Sequence, residues 1–238
     1  GCYQPNDPTK VIAGDPGCRE DFGLPPDCFV FCCFNNSQKI RAETFKIWMN
    51  ILSAVPGSVL WLLKENEQMV VNLRSAAEDF GVASSRIIFA ERLPLDRHLA
   101  RHVFADLFLD TLPYNAHTTA SDALWAGLPV LTCIGSLFPG RVAASLLKAM
   151  SLDILITANP TEYETAAIHW ARNPMLLQSL RQSLARRRRS SALFDARRFT
   201  HHLEVAYACM QDRVKSGLPP AGFTVLSEGG VSVLPSDG

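Results

Sequence analysis

Along the chain, short apolar runs alternate with stretches in which apolar residues recur at helical spacing. "CFVFCCF" (28–34) is apolar throughout, and "SVLWLL" (58–63), "RIIFA" (86–90), "DLFLD" (106–110) and "PVLT" (129–132) each hold a compact apolar centre. Between the first two, "AETFKIWMNILSAV" (42–55) spaces Phe45, Trp48, Met49, Leu52 and Val55 three or four apart, which predicts a helix with one buried face. Further helices are predicted over 66–80, ending at Gly81, over 96–104, and over 117–126, stopping at Gly127. Strands apolar on both faces and separated by helices imply a parallel sheet covered on both sides. The predicted fold is therefore α/β, a Rossmann-like doubly wound parallel sheet with right-handed crossovers. C-terminal helices follow near 140–150, 160–172, 173–189 and 195–213.

The flanks differ from this pattern. Residues 1–26 are rich in Pro, Gly and Asp without a period, which reads as a linker or irregular lead-in. Residues 27–213 form the predicted lobe, and the Gly/Pro/Ser-rich tail 214–238 is expected to be disordered. No internal repeat of domain-building length is present.

In an open parallel sheet, ligands bind beyond the carboxyl ends of the strands, where strand order reverses. That rule selects the loops 35–39, 90–96 and 111–119. In "FLDTLPYNAHTTASDALWAGLPVLT" (108–132) the helix begins near His117. Its first N–H groups lack intrahelical partners, and its dipole adds partial positive charge, so a phosphate suits that end. Thr118, Thr119 and His117 add donors, and Asp122, four residues after Thr118, suits the hydroxyls of a ribose. A plain helix cap by Asn115 or Thr118, with Asp122 favouring the positive end, explains the same residues without a ligand. His98 and Arg101, at i and i+3, share one face of the preceding helix. The imidazole can stack on a base and the guanidinium can reach a base carbonyl or phosphate, though a solvated helix face has the same spacing. Lys39 follows the first strand within reach of a diphosphate; Asp110 reads as a catalytic carboxylate or as a brace for the loop after it. No GxGxxG follows a strand and no GxxxxGK[ST] occurs, which argues against dehydrogenase-type and P-loop sites.

Composition narrows the classes. The 238 residues are 47% hydrophobic and 19% charged, with equal numbers of acidic and basic residues, so no pull toward nucleic acid or an anionic membrane follows. No apolar run approaches a membrane span and no secretory signal is visible; the missing initiator Met suggests a piece of a longer chain. Seven cysteines without CxxC or zinc spacing read as reduced thiols of a cytoplasmic protein. "RRRR" (186–189) reads as an exposed helix face or an acidic contact, His201 and His202 point different ways and make a poor metal pair, and the four tryptophans are expected in the core.

Taken together, "FCCFNNSQKI", "WMNILSAVPGSVLWLL", "RIIFAERLPLDRHLAR", the 108–132 stretch, "RVAASLL" and "SSALFDARRF" resemble the carboxy-terminal half of the O-linked N-acetylglucosamine transferase family, over about residues 25–213. The resemblance implies the donor-binding lobe of a GT-B glycosyltransferase. It implies transfer of N-acetylglucosamine from UDP-GlcNAc to Ser/Thr hydroxyls of proteins, without a metal or other cofactor. By the same resemblance Lys39 contacts the donor diphosphate and supports the leaving group, and Asn36 stands at a polar amide position near the donor. His98 stacks on the base beside the basic Arg101, backbone groups of Arg92 and Leu93 read the uracil, His117, Thr118 and Thr119 hold the phosphates, and Asp122 binds the ribose. Leu95 departs from the family, which can carry a lysine there. The family also implies a second Rossmann-like lobe and tetratricopeptide helices upstream, so the fragment alone is expected to bind nucleotide and not to turn over. Related enzymes using UDP-glucose or GDP-fucose, and a noncatalytic nucleotide-binding module, are the competing readings.

Overall fold

A computed structural model describes residues 6–226 and 229–234. Six parallel strands form the central sheet: β1 (Val30–Cys33), β2 (Val59–Leu63), β3 (Ile87–Ala90), β4 (Leu107–Leu109), β5 (Val130–Cys133) and β6 (Ile156–Thr157), in the order β3-β2-β1-β4-β5-β6. Every residue of β1, β2, β4 and β5 is buried, as apolar runs covered on both faces require. Cys32 of β1 lies beside Trp61 on one neighbour and Phe108 on the other. The order reverses between β1 and β4, so the crevice opens where Lys39 and the 111–119 loop were predicted to meet.

Helices α1 (Ala42–Ala54), α2 (Glu67–Asp79), α3 (Leu95–Ala100), α4 (Thr118–Trp125), α5 (Val142–Ala149), α6 (Pro160–Arg172), α7 (Pro174–Arg187) and α8 (Ala196–Lys215) complete the fold. Local chemistry sets several ends. Asn66 and Asn159 accept from the backbone N–H three residues on, capping α2 and α6. Gly127, with φ of 86°, takes the left-handed conformation just past α4. Trp48 and Trp61 are fully buried. The Trp48 indole donates to the Tyr163 hydroxyl at 3.3 Å, and that hydroxyl donates to the Asp110 carbonyl at 2.9 Å, tying α1 and α6 to the end of β4.

Three features depart from the sequence expectation. β6, at the end of the apolar run 154–156, is a strand beyond the five expected and lies along the edge of β5, with Thr132 beside Ile156. The helix expected over 96–104 is α3 closed by a 3-10 turn, Arg101–Phe104. Part of the tail expected to be disordered is a hairpin, β7 (Phe223–Val225) antiparallel to β8 (Val231–Val233), packed against α8. Its Phe-Thr-Val and Val-Ser-Val segments carry the period of two that a strand needs; residues 227–228 and 235–238 lie outside the described residues. The six described cysteines are free thiols, with Cys32 and Cys33 buried in β1. No helix among the described residues is long and apolar enough to cross a membrane.

Candidate functional site

After Cys33 the chain leaves the sheet through Phe34 and Asn35 into a 3-10 turn, Ser37–Lys39. The Asn36 side chain caps that turn, accepting from the Gln38 N–H at 2.9 Å, and so aims Lys39 across the crevice. The Lys39 ammonium donates to the Asn115 carbonyl at 2.8 Å and lies 4.1 Å from the centre of the Tyr114 ring. Burial holds this amine below the usual lysine range, with Asp110 acting in the opposite direction.

The loop that receives Lys39 is built around one carboxylate. Asp110 Oδ1 accepts from the backbone N–H of Thr111 at 2.8 Å and of Ala116 at 2.6 Å, while Oδ2 accepts from the Thr132 hydroxyl at 2.6 Å. Desolvation pushes the Asp110 carboxyl up to about 7 in spite of these donors. Its environment is that of a brace: fully buried, it closes residues 111–116 into a ring and fixes where α4 begins. A second backbone contact locks the loop to its neighbour, since Asn115 N–H donates to the Pro139 carbonyl at 3.0 Å. Gly140 is needed there: a Cβ at that position would lie 2.6 Å from the Pro113 carbonyl oxygen.

At the tip of α4, Ser121 N–H bonds to the His117 carbonyl at 3.1 Å, which leaves the N–H groups of Thr118, Thr119 and Ala120 at the open end of the helix. The His117 ring stacks on Tyr114, with centroids 5.2 Å apart and planes at 20°. Burial, and then Lys39, lower its basicity. Thr118 is exposed to solvent, whereas the Thr119 hydroxyl donates to Asn35 Oδ1. Asn35 Nδ2 in turn donates to the Thr111 hydroxyl at 2.8 Å. The structure thus adds Asn35 to the site, a buried amide that stitches the end of β1 to the tip of α4. Sequence reasoning passed over it for Asn36, because alternation does not tell which of two adjacent amides turns inward.

Beside this tip lies a cleft of about 450 Å³, lined by Phe34, Asn36, Arg92, Leu93, His98 and Thr119 among others. Burial, with His102 and Arg101 adding to it, lowers the His98 ring to about 3, so the imidazole facing the cleft is neutral. Arg101 is placed differently from the expected outward face: it is 1% exposed. Its guanidinium donates to the Glu91 carbonyl at 2.6 Å, bonds to His98 Nδ1 at 2.6 Å, and lies 4.7 Å from the centre of the Phe34 ring. The break into a 3-10 turn at Arg101 carries it under the cleft, where it orients the 91–93 backbone and the His98 ring together. Leu95 lies half exposed at the rim. A second cleft of about 510 Å³ adjoins the first at Asn36 and is lined by Gln38, Lys39, Tyr114, Leu137 and Pro139, with others.

Asp122 lies one turn along α4 and is 6% exposed. It does not meet solvent alone: Lys10, from the lead-in segment, pairs with its Oδ1. Nothing in the aperiodic stretch around Lys10 signals that role. Among the described residues, no group of three or more His, Cys, Asp or Glu side chains is arranged to hold a metal ion.

The model of glycosyl transferase family 41 matches residues 7–203. Among curated proteins, the chain is 40% identical over 209 residues to the probable UDP-N-acetylglucosamine–peptide N-acetylglucosaminyltransferase SEC of Arabidopsis thaliana, covering 87% of this chain and 21% of that protein. It is 35% identical over 201 residues to the UDP-N-acetylglucosamine–peptide N-acetylglucosaminyltransferase of Caenorhabditis elegans, covering 84% of this chain and 18% of that one. The chain thus spans about a fifth of the length of these relatives. Among solved structures, a mutant of the Thermobaculum terrenum O-GlcNAc transferase superposes with a TM-score of 0.77 at 32% identity, over 91% of this chain and 40% of that one. The lipopolysaccharide glycosyltransferase WaaG shares the fold, with a TM-score of 0.57 at 16% identity over 78% of this chain and 52% of that one.

Proposed function

Because the chain belongs to glycosyl transferase family 41, we propose that it is the donor-binding lobe of a protein O-GlcNAc transferase, which moves N-acetylglucosamine from UDP-GlcNAc to Ser/Thr hydroxyls of proteins. The observation that carries this reading is the 2.8 Å contact from Lys39 to the carbonyl of Asn115, two residues before the α4 tip. An amine from one side of the topological switch and a helix end from the other converge where a diphosphate fits.

In this assignment the uracil lies against the neutral His98 ring, read by the backbone of Arg92 and Leu93, with Arg101 as their positioning residue. His117, Thr118, Thr119 and the free N–H groups of α4 receive the phosphates, and Asp122 takes the ribose. Asn36 separates the nucleotide cleft from the adjoining one, which takes the sugar. When the bond from the sugar C1 to the β-phosphate oxygen breaks, the electron pair stays on that oxygen. Lys39 is the group placed to meet the new charge, so it stabilises the transition state more than the bound donor. That charge is assigned to Lys39 and the helix tip, with no metal ion or other cofactor in the scheme. Acceptor binding and turnover belong to a second Rossmann-like lobe and to tetratricopeptide helices of the parent protein, which we place in the cytoplasm. A thermal-shift comparison tests the reading: UDP and UDP-GlcNAc raise Tm, and GDP does so much less. Equal shifts would remove the uridine assignment, and no shift with any of the three would remove the site.

A further inference from the structure

The lead-in segment, aperiodic in sequence, is anchored to α4 at three successive points. Asn6 accepts from the Ser121 hydroxyl, Lys10 pairs with Asp122, and the Lys10 carbonyl accepts from the Trp125 indole at 2.9 Å. Farther on, Ala13 N–H donates to the Asp96 carbonyl at 3.1 Å, in the first turn of α3. The segment therefore crosses between the helix that carries Asp122 and the helix that carries His98. Its contacts with α4 fall at 121, 122 and 125, one side of the helix, and so hold that side as a strap.

The Lys10–Asp122 pair is shielded from water, its side chains 15% and 9% exposed, so loss of either partner leaves the other's charge largely buried and uncompensated. The ammonium engages Oδ1 only, and Oδ2 has no partner among the described residues. Resting on the assignment of Asp122 to the ribose, we infer that Lys10 is a positioning residue for donor recognition: by engaging Oδ1 it holds the Asp122 carboxylate rotated so that the other oxygen remains open to the ribose hydroxyls.

The test measures the dissociation constants of UDP and 2′,3′-dideoxy-UDP for the full chain by calorimetry. The ratio between them isolates ribose recognition, because a general loosening of the lobe weakens both nucleotides alike. Wild type is expected to prefer UDP about tenfold. Lys10→Met should erase that preference by weakening UDP and leaving the dideoxy nucleotide within about twofold, while Lys10→Arg retains it. Asp122→Asn should match Lys10→Met, and the double variant should add nothing. A preference that survives in Lys10→Met, or equal weakening of both nucleotides, overturns the role of Lys10 and leaves Asp122 as the ribose ligand. Absence of any preference in wild type removes the ribose assignment itself, and the role of Lys10 with it.

Discussion

Replacing Lys39 with Met separates a side chain kept for chemistry from one kept for folding. In the ligand-free protein this substitution deletes the hydrogen bond to the Asn115 carbonyl and the contact with the Tyr114 ring. The hydrogen bond is worth about 1 kcal/mol and the ring contact about 0.5–1 kcal/mol. Against these stands the cost of holding a half-buried ammonium away from water, which is what pulls its basicity down. Methionine fills a similar volume without that cost. The opposing contributions leave a net change within about 1 kcal/mol, or a Tm shift of roughly 2–4 °C for a domain of this size. Turnover is a different matter, since in the proposed function Lys39 is the ammonium that meets charge leaving on the β-phosphate. Loss of one aimed donor costs about 2.7–4 kcal/mol of transition-state stabilisation, a fall of about a hundredfold to a thousandfold in kcat. The assay pairs a melting curve of this lobe without ligand with steady-state transfer from UDP-GlcNAc by the full-length parent protein carrying the substitution, KM being measured separately. Near-native Tm with collapsed kcat is the expected outcome. A large loss of Tm with kcat intact would show that Lys39 is a structural strut and would refute its assignment.

Two other perturbations bear on the supports of the site. Asn35→Ala removes both bonds of the amide that links Thr111 and Thr119; it should cost about 1–3 kcal/mol in urea denaturation and weaken UDP, and an unchanged UDP affinity would detach Asn35 from the phosphate tip. His102 is buried, and desolvation lowers it from 6.5 to about 4. Because the unfolded chain binds the proton more readily, this residue's contribution to stability is complete above pH 6.5 and is lost as pH falls toward 4. Asp110 acts oppositely: its carboxyl is raised from 3.8 to about 7, so its share of stability falls as pH rises through that window. His98, lowered from 6.5 to about 3, loses stability in the same acid direction as His102, so the wild-type profile mixes several groups and the difference from His102→Gln is what isolates this histidine. Wild type should lose about 2 kcal/mol relative to that variant between pH 7 and pH 5; a difference independent of pH would mean that His102 is not held neutral.

The sequence by itself determined the alternation of strands and helices, five of the six sheet strands and the three loops at their carboxyl ends. It also singled out Lys39 and the His117–Thr119 turn. These are local properties: the period of apolar residues reports which face each segment must bury, and the order of segments then leaves few topologies. Tertiary structure alone decided which polar side chains turn inward. Arg101 shares a helical spacing with His98, yet the chain tightens at that point and buries it beneath the cleft. Asn35 and Asn36 are neighbours with the same chemistry; one stitches the site and the other caps a turn because Thr111 and Thr119 come from the loop after β4 and the first turn of α4, far along the chain. Lys10 lies in a segment without any period and finds Asp122 only because the fold returns the lead-in to α4. β6 and the β7–β8 hairpin depend in the same way on an edge or a helix supplied from elsewhere. A pattern of nearest neighbours encodes the surface a residue must hide, but the partner that satisfies a buried charge or amide is chosen by residues distant in sequence, which meet only once the sheet has assembled.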